Sequence, residues 1–175
     1  MASEVVGNYY HAKHGLDYRA LRYPAVISSE KFEAGGSLSY PQELFYAVGY
    51  EGKKEYEIYL RPDSTGPIIH IEDTLIATRD LMFADGERLT RRCYNVNGYA
   101  ACPRDFVEWL EKKLKEEGRP AVKVTYKSEE RRQKIVDSWA NYVDDGPARR
   151  DWGWRVERSF ESLCEELWAR AKEGF

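Results

Sequence analysis

Asp137-Ser138-Trp139, followed after four residues by Asp144-Asp145-Gly146-Pro147-Ala148-Arg149-Arg150-Asp151-Trp152-Gly153-Trp154, is the most densely patterned stretch of this 175-residue chain. Pro147 suits the first turn of a helix running through Asp151, because a proline there gives up an N–H that has no intrahelical partner. Asp144 and Asp145 then place negative charge at the positive end of the helix dipole. Trp152 and Trp154, on either side of Gly153, read as core staples. Trp139 admits two readings, an anchor from surface to core or an aromatic lid over a bound molecule.

Outward from this stretch, strands and helices alternate. Downstream, Ser159 caps a last helix in which Phe160, Leu163, Cys164, Leu167, Trp168 and Ala171 recur with a period of 3.6. Upstream, Glu129 to Asp137 is a short charged helix, Val122 to Tyr126 a strand, and Pro103 opens a helix bearing Phe106, Val107, Leu110 and Leu114. Tyr94 to Val96 and Ile68 to Ile71 read as strands. Between them Asp73 caps a helix that turns Leu75, Ile76, Leu81 and Met82 inward. Tyr56 to Leu60 alternates as a strand, and Pro41 starts a helix with Leu44, Phe45 and Val48 on one face. Near the N-terminus, a helix from Ser3 to His14 stops at Gly15, and Asp17 to Tyr23 is a strand closed by Pro24. The class is mixed α/β, in one domain spanning residues 1–175 with no repeat or linker.

Composition narrows the function classes. Lys+Arg 27 against Asp+Glu 30 leaves a net charge of −3. With both signs interspersed, no footprint for nucleic acid or an anionic membrane emerges. No apolar run approaches the roughly 20 residues of a membrane span. Met1-Ala2-Ser3-Glu4 reads as neither a signal nor a transit peptide. Cys93, Cys102 and Cys164 are scattered and odd in number. They point to reduced thiols in a soluble protein of a reducing compartment, the cytoplasm or the mitochondrial matrix. Metal-ligand spacing is absent from the sequence, so no metal is expected.

The chain also lacks a dinucleotide seat. A pyrophosphate needs a helix N-terminus approached through glycines without Cβ atoms. The nearest pattern, Gly49-Tyr50-Glu51-Gly52, follows a helix and reads as its stop. Tyrosine with lysine four residues on is the acid/base pair of many reductases, since that spacing shares a helix face and the lysine charge lowers the phenol pKa. Tyr9 with Lys13 and Tyr50 with Lys54 fit the spacing, but coincidence suffices among 13 tyrosines, and no catalytic residue is assigned.

The motifs, taken in order, resemble those of the L-threonine 3-dehydrogenases of the extended short-chain dehydrogenase/reductase group, the NAD-dependent epimerase/dehydratases. Tyr9-Tyr10-His11, Gly15-Leu16-Asp17-Tyr18-Arg19 and Arg22-Tyr23-Pro24-Ala25 carry the likeness at one end. Gly35-Gly36-Ser37-Leu38-Ser39-Tyr40, Leu60-Arg61-Pro62-Asp63-Ser64, Pro67 to Asp73 and Tyr94-Asn95-Val96 carry it through the middle. Arg132-Gln133-Lys134-Ile135 and the opening stretch complete it. The register places the family's catalytic Tyr-x-x-x-Lys just ahead of Met1. The resemblance implies a C-terminal substrate-binding lobe: a partial Rossmann-type unit of strands and helices plus a small α+β substrate lobe.

By the same resemblance, Ala25 and Val26 lie beside a nicotinamide, and Gly36, Ser37, Leu38 and Trp139 contact an amino-acid substrate. Three positions depart from the family pattern: Leu38 replaces a hydroxyl, Ala25 a glycine at the cofactor, and His70 a tyrosine. His70 itself reads more simply as a satisfied, half-buried histidine than as an acid/base. The expectation is a lobe that binds no cofactor alone, and NAD only when a nucleotide-binding half on another chain completes it. A protein partner should then cover the N-terminal helix and the strand Asp17–Tyr23, in a homo- or hetero-oligomer. The alternatives are a non-catalytic structural subunit of a larger, mitochondrial assembly, or a lobe for a different polar metabolite such as a sugar nucleotide. In the last case Arg61 would meet a phosphate, although in a turn it reads first as plain surface.

Overall fold

The computed structural model describes residues 2–29 and 36–174. Helix α1 (Ala2–His14) leads through Gly15, at φ +69°, to β1 (Ala20–Arg22). After Pro24 a second strand, β2 (Ala25–Ile27), begins, followed by α2 (Tyr40–Gly49), β3 (Glu55–Ile58), β4 (Gly66–His70) and α3 (Ile71–Phe83). A single 3-10 turn at Gly86–Arg88 precedes β5 (Cys93–Asn95), β6 (Tyr99–Ala101) and α4 (Pro103–Glu116). The chain closes with β7 (Lys123–Tyr126), α5 (Glu130–Asp137), α6 (Gly146–Trp152) and α7 (Phe160–Glu173). The mixed α/β class holds, with mainly parallel pairing.

Three small sheets organise these strands. β1 pairs with β5 in parallel, Leu21 opposite Tyr94. β2 pairs with β4 in parallel from Ala25 opposite Ile68, and β6 closes the other edge of β4 antiparallel. β3 pairs with β7 in parallel. β4 is buried along its whole length. Pro67 is tolerated inside it because the β2 ladder starts only at Ile68, so on that side the missing N–H breaks no rung. β6 depends on Gly98: a Cβ there would sit 2.3 Å from the Ile68 carbonyl oxygen and 2.9 Å from Ile69 Cα.

The main core forms where α2, α4 and α7 bring Leu44, Phe45, Phe106, Leu110, Leu163, Leu167 and Trp168 together, each at most 1% exposed. Each such side chain contributes roughly 1.5–3 kcal/mol by leaving water. A second cluster gathers Ile69, Ala77, Leu81, Tyr94, Val96, Ala148 and Trp154 between α3, β5 and α6. Asp151 pins α6 to the strand, its Oδ2 accepting from the Tyr94 hydroxyl and the Thr90 hydroxyl, both at 2.6 Å. Asp145 fixes the other end, accepting from Arg149 at 2.8 Å and from the Trp154 indole N–H at 3.0 Å. Gly153, at φ +79°, ends α6 between the two tryptophans.

Several sequence expectations are corrected. The strand expected over Asp17–Tyr23 is only Ala20–Arg22, and β2 after Pro24 was not anticipated. α3 is capped by His70, whose Nδ1 accepts from the Glu72 N–H at 3.1 Å, rather than by Asp73. Asp73 is instead wholly buried, accepting from the backbone N–H groups of Glu157 and Arg158 at 3.0 and 3.2 Å. Burial raises its pKa, and the two backbone bonds oppose that rise. The buried face of α3 is therefore Asp73, Thr74, Ala77 and Leu81, while Leu75 and Met82, expected inside, are 63% and 59% exposed. Among the described residues no helix is long and apolar enough to cross a membrane, no three metal-binding side chains cluster, and the cysteines are free.

α1 touches the rest of the chain lightly. Its only buried residue, Gly7, lies under the Tyr18 ring. Arg22 of β1 hydrogen-bonds Glu4 and holds its carboxyl at about 2. The outward residues Val5, Val6, Tyr9 and Tyr10 are each close to half exposed or more.

Candidate functional site

A hollow of about 560 Å³ opens where the link between β1 and β2 passes the segment after α5. Tyr23, Pro24 and Ala25 line one part of it, Pro67 of β4 another, and Ser138, Trp139, Ala140 and Val143 the rest. The chain folds this way because Pro24 cannot continue the β1 ladder, and because α5 ends at Asp137, after which Trp139 N–H closes on the Val136 carbonyl at 3.1 Å.

Leu38 reaches the same place from a different segment. A Cβ on Gly66 would lie 3.9 Å from Leu38 Cδ1 and 3.9 Å from Trp139 Cε3, so the two side chains flank Gly66 at the head of β4. The turn carrying Leu38 is held from behind. The Gly36 carbonyl accepts from the Tyr59 hydroxyl at 3.0 Å, and Ser39 Oγ lies 3.0 Å from that carbonyl and 2.6 Å from the Glu43 carboxylate. Burial raises the Tyr59 phenol pKa, which keeps it a donor, and the Arg132 guanidinium packs 4.0 Å from its ring centre.

The Trp139 end is braced by charge. Arg61 donates to both carboxylate oxygens of Asp137 at 3.1 and 2.8 Å, and this pairing holds the Asp137 carboxyl below the usual range. Gln133 adds bonds to Asp137, to Ser64 Oγ and from the Arg61 N–H at 2.7, 2.8 and 2.9 Å. Arg61 is thus engaged with a carboxylate.

Of the residues singled out in the sequence, Ala25 and Trp139 line one hollow and Leu38 adjoins it through Gly66. Gly36 is exposed and Ser37 half-buried in the supporting turn. Val26 pairs with Ile69 and is 41% exposed, but does not line the hollow. Gly35 lies outside the described residues. Tyr23, Pro67 and Val143 were not anticipated as lining, and a turn proline beside a lone glycine was their only signal. His70 is 1% exposed and bonded at both nitrogens, to the Glu72 N–H and to Glu166 Oε2 at 2.9 Å. Because Nδ1 accepts, Nε2 carries the proton.

The two tyrosine–lysine pairs separate on structure. Lys13 Nζ donates to the Tyr9 hydroxyl at 2.6 Å on the exposed face of α1, and neither residue lines the hollow. α2 ends at Gly49, so Tyr50 and Lys54 share no helix face. Gly49 itself faces Trp168 and Ala171, both 3.2 Å from where its Cβ would stand, a close helix contact with no access for a phosphate.

Sequence and structure comparison find similar proteins along nearly the whole chain. The chain is 37% identical to the mitochondrial L-threonine 3-dehydrogenase of Bos taurus over 165 residues, 94% of this chain and 42% of that protein. It is 32% identical to an uncharacterized epimerase/dehydratase of Staphylococcus saprophyticus, over 95% of this chain and 50% of that one. The crystal structure of L-threonine dehydrogenase from Phytophthora infestans superposes with a TM-score of 0.88 at 31% identity, covering 99% of this chain and 54% of that chain. The chain is thus similar to threonine 3-dehydrogenases and epimerase/dehydratases over about half of their length. No family model matches it. This threonine-dehydrogenase-like chain spans about half the length of the curated relatives it matches.

Proposed function

We propose that this threonine-dehydrogenase-like chain acts as a substrate-side lobe, incomplete for catalysis within its own 175 residues, and works with an NAD-binding half lying outside them. The observation that carries this reading is the edge of β1. Among the described residues β1 has one strand neighbour, β5, in parallel. Parallel strands are normally covered on both faces and extended on both edges. Met82 of α3 shares a hollow with Ala20 and Leu21 of β1, and α1 and α3 carry exposed apolar residues: Val6 at 53%, Tyr10 at 47%, Met82 at 59% and Phe83 at 77%. Exposed large apolar side chains grouped on two helices suit a surface where protein docks. In this reading Ala25 and Val26 face the nicotinamide side, and Gly36, Ser37, Leu38 and Trp139 face the substrate.

The residues present do not fit NAD by themselves. Among the described residues the glycine pair that resembles a nucleotide loop is the packed end of α2, and in this reading hydride transfer is completed by the other half. The test is to mix the chain with the separately expressed nucleotide-binding half of a threonine dehydrogenase. Calorimetry should give no NAD binding to the chain alone, and sedimentation should show a complex that binds NAD. NAD binding to the isolated chain at micromolar concentration, or failure of any complex to form, would overturn the reading. A non-catalytic structural role is the second reading, favoured by the alkyl side chain of Leu38 at the hollow. It predicts the same complex without turnover.

A further inference from the structure

We infer that a second hollow, between β6, the first half of α4 and the start of α7, is a docking surface for an extended segment of a partner protein that presents a basic side chain. It shares no lining residue with the hollow beside Trp139 or with the one beside β1, so it goes beyond the proposed function.

The hollow has a volume of about 500 Å³. Asp105 and Glu108 of α4 and Glu161 of α7 line it, against one ammonium, that of Lys112. Lys112 Nζ lies 3.9 Å from Glu116, one turn further along α4. Asp105 gives one oxygen to the Cys102 N–H at 2.7 Å. Glu108 and Glu161 make no hydrogen bond or ion pair with any described residue. Asp105 and Glu161 also answer the positive ends of their helices, but Glu108 stands beyond the first turn of α4 and has no such role. Like charges gathered around one space repel, and an entering cation relieves that repulsion.

The walls suit the stem of a basic side chain. Trp109 stacks on Phe45 at 5.5 Å, and Phe160 meets Phe106 edge-on at 4.9 Å. Two fixed rings therefore stand ready to cover methylene groups while the charged head reaches the carboxylates. Lys113 already does this nearby, its Nζ 5.7 Å from the Trp109 ring centre and 2.7 Å from the Glu165 carboxylate. The backbone beside the hollow points to a polypeptide. β6 is the outer strand of its sheet, on the opposite side of β4 from β2, and Ala100 of β6 lines the hollow. An outer strand offers N–H and C=O groups to an added strand, which a free small cation leaves unused.

The probes are three capped pentapeptides, acetyl-Thr-Val-Xaa-Val-Thr-amide with arginine, glutamine or glutamate at the centre, and acetyl-arginine-amide as the free cation. NMR titrations of the full 175-residue chain should show the arginine peptide shifting the Trp109 indole and the Ala100 amide, and binding at least about tenfold more tightly than the glutamine peptide. The glutamate peptide should give no saturable shift. Raising salt from about 0.05 to about 0.5 M should weaken the arginine peptide several-fold. Glu108→Gln with Glu161→Gln should remove the preference for arginine while thermal melting shows the fold intact. Glu111→Gln, outside the hollow, should leave the preference unchanged. An arginine peptide that gives no saturable shift would overturn the inference, as would a glutamine or glutamate peptide that binds as tightly, or a preference that survives the double variant. Acetyl-arginine-amide binding as tightly as the peptide would assign the hollow to a free small cation. Shifts at Trp109 and Ala100 that grow with protein concentration alone would assign it to a second copy of the chain. Either would overturn the docking of a partner segment, and none of these results touches NAD binding or association with a nucleotide-binding half.

Discussion

The Tyr94 hydroxyl donates to Asp151 at 2.6 Å across 57 residues of sequence, joining β5 to α6 inside the second core cluster. Thr90 adds its hydroxyl and its N–H to the same oxygen at 2.6 and 3.1 Å. Burial pushes the Asp151 carboxyl up, but these three donors outweigh it and hold the group below its ordinary value. A carboxyl whose folded pKa is depressed stabilises the fold above its unfolded pKa of about 3.9 and loses that contribution as pH falls through the folded value. Asp151→Asn is therefore expected to cost about 2 kcal/mol at neutral pH. Urea melts should also show a shallower loss of stability for the variant than for the wild type between about pH 5 and pH 2.

Gly98 permits the approach of β6 to β4. Because the atoms a Cβ would strike are backbone, no side chain can swing aside. Gly98→Ala should destabilise the chain by about 3 kcal/mol, read as a lowered midpoint in thermal denaturation. An unchanged midpoint would mean the β6 turn is wider than described.

Tyr59 holds Leu38 indirectly, through Gly36. Tyr59→Phe removes the hydroxyl while keeping the ring under Arg132, and should cost about 1 kcal/mol. Its distinguishing readout is a change in the Leu38 methyl resonances without loss of the β3 amide signals; intact Leu38 signals would show that the turn is held by Ser39 alone.

The α1 and α3 surface should be separable from the fold. Val6 and Met82 are 53% and 59% exposed, so Val6→Glu with Met82→Glu should leave the melting temperature within error, as exposed substitutions commonly change stability by about 0.5 kcal/mol or less. The same pair should weaken association with a nucleotide-binding half by at least tenfold in sedimentation, since a charge would be buried without a partner.

The helices of the main core were legible from sequence because their signals are local. Leu163, Cys164, Leu167 and Ala171 repeat every turn, and Ser159 caps them through a 3.1 Å bond from the Ser162 N–H. β6 was not legible, since Tyr99-Ala100-Ala101 becomes a strand only by lying against Gly66–Ile68. α3 misled for the opposite reason. Leu75 and Met82 look like core residues, yet the helix is rotated by Asp73, whose backbone partners stand 84 and 85 residues away. Ala25 and Trp139, which line one hollow, were singled out through family motifs, and composition held no clue to them. Tyr23, Pro67 and Val143 carry no chemistry that marks them, and the fold alone brings them together.

Tyr23 and Pro24 are the whole connector between β1 and β2, and both also wall the hollow. Proline fixes one backbone torsion, so this two-residue strut has little slack to absorb movement. A polypeptide seated along β1 and a small molecule seated beyond Pro24 would pull on opposite ends of the same strut. Reciprocity then requires that whatever factor the docked polypeptide applies to the small molecule's affinity, the small molecule applies to the polypeptide's.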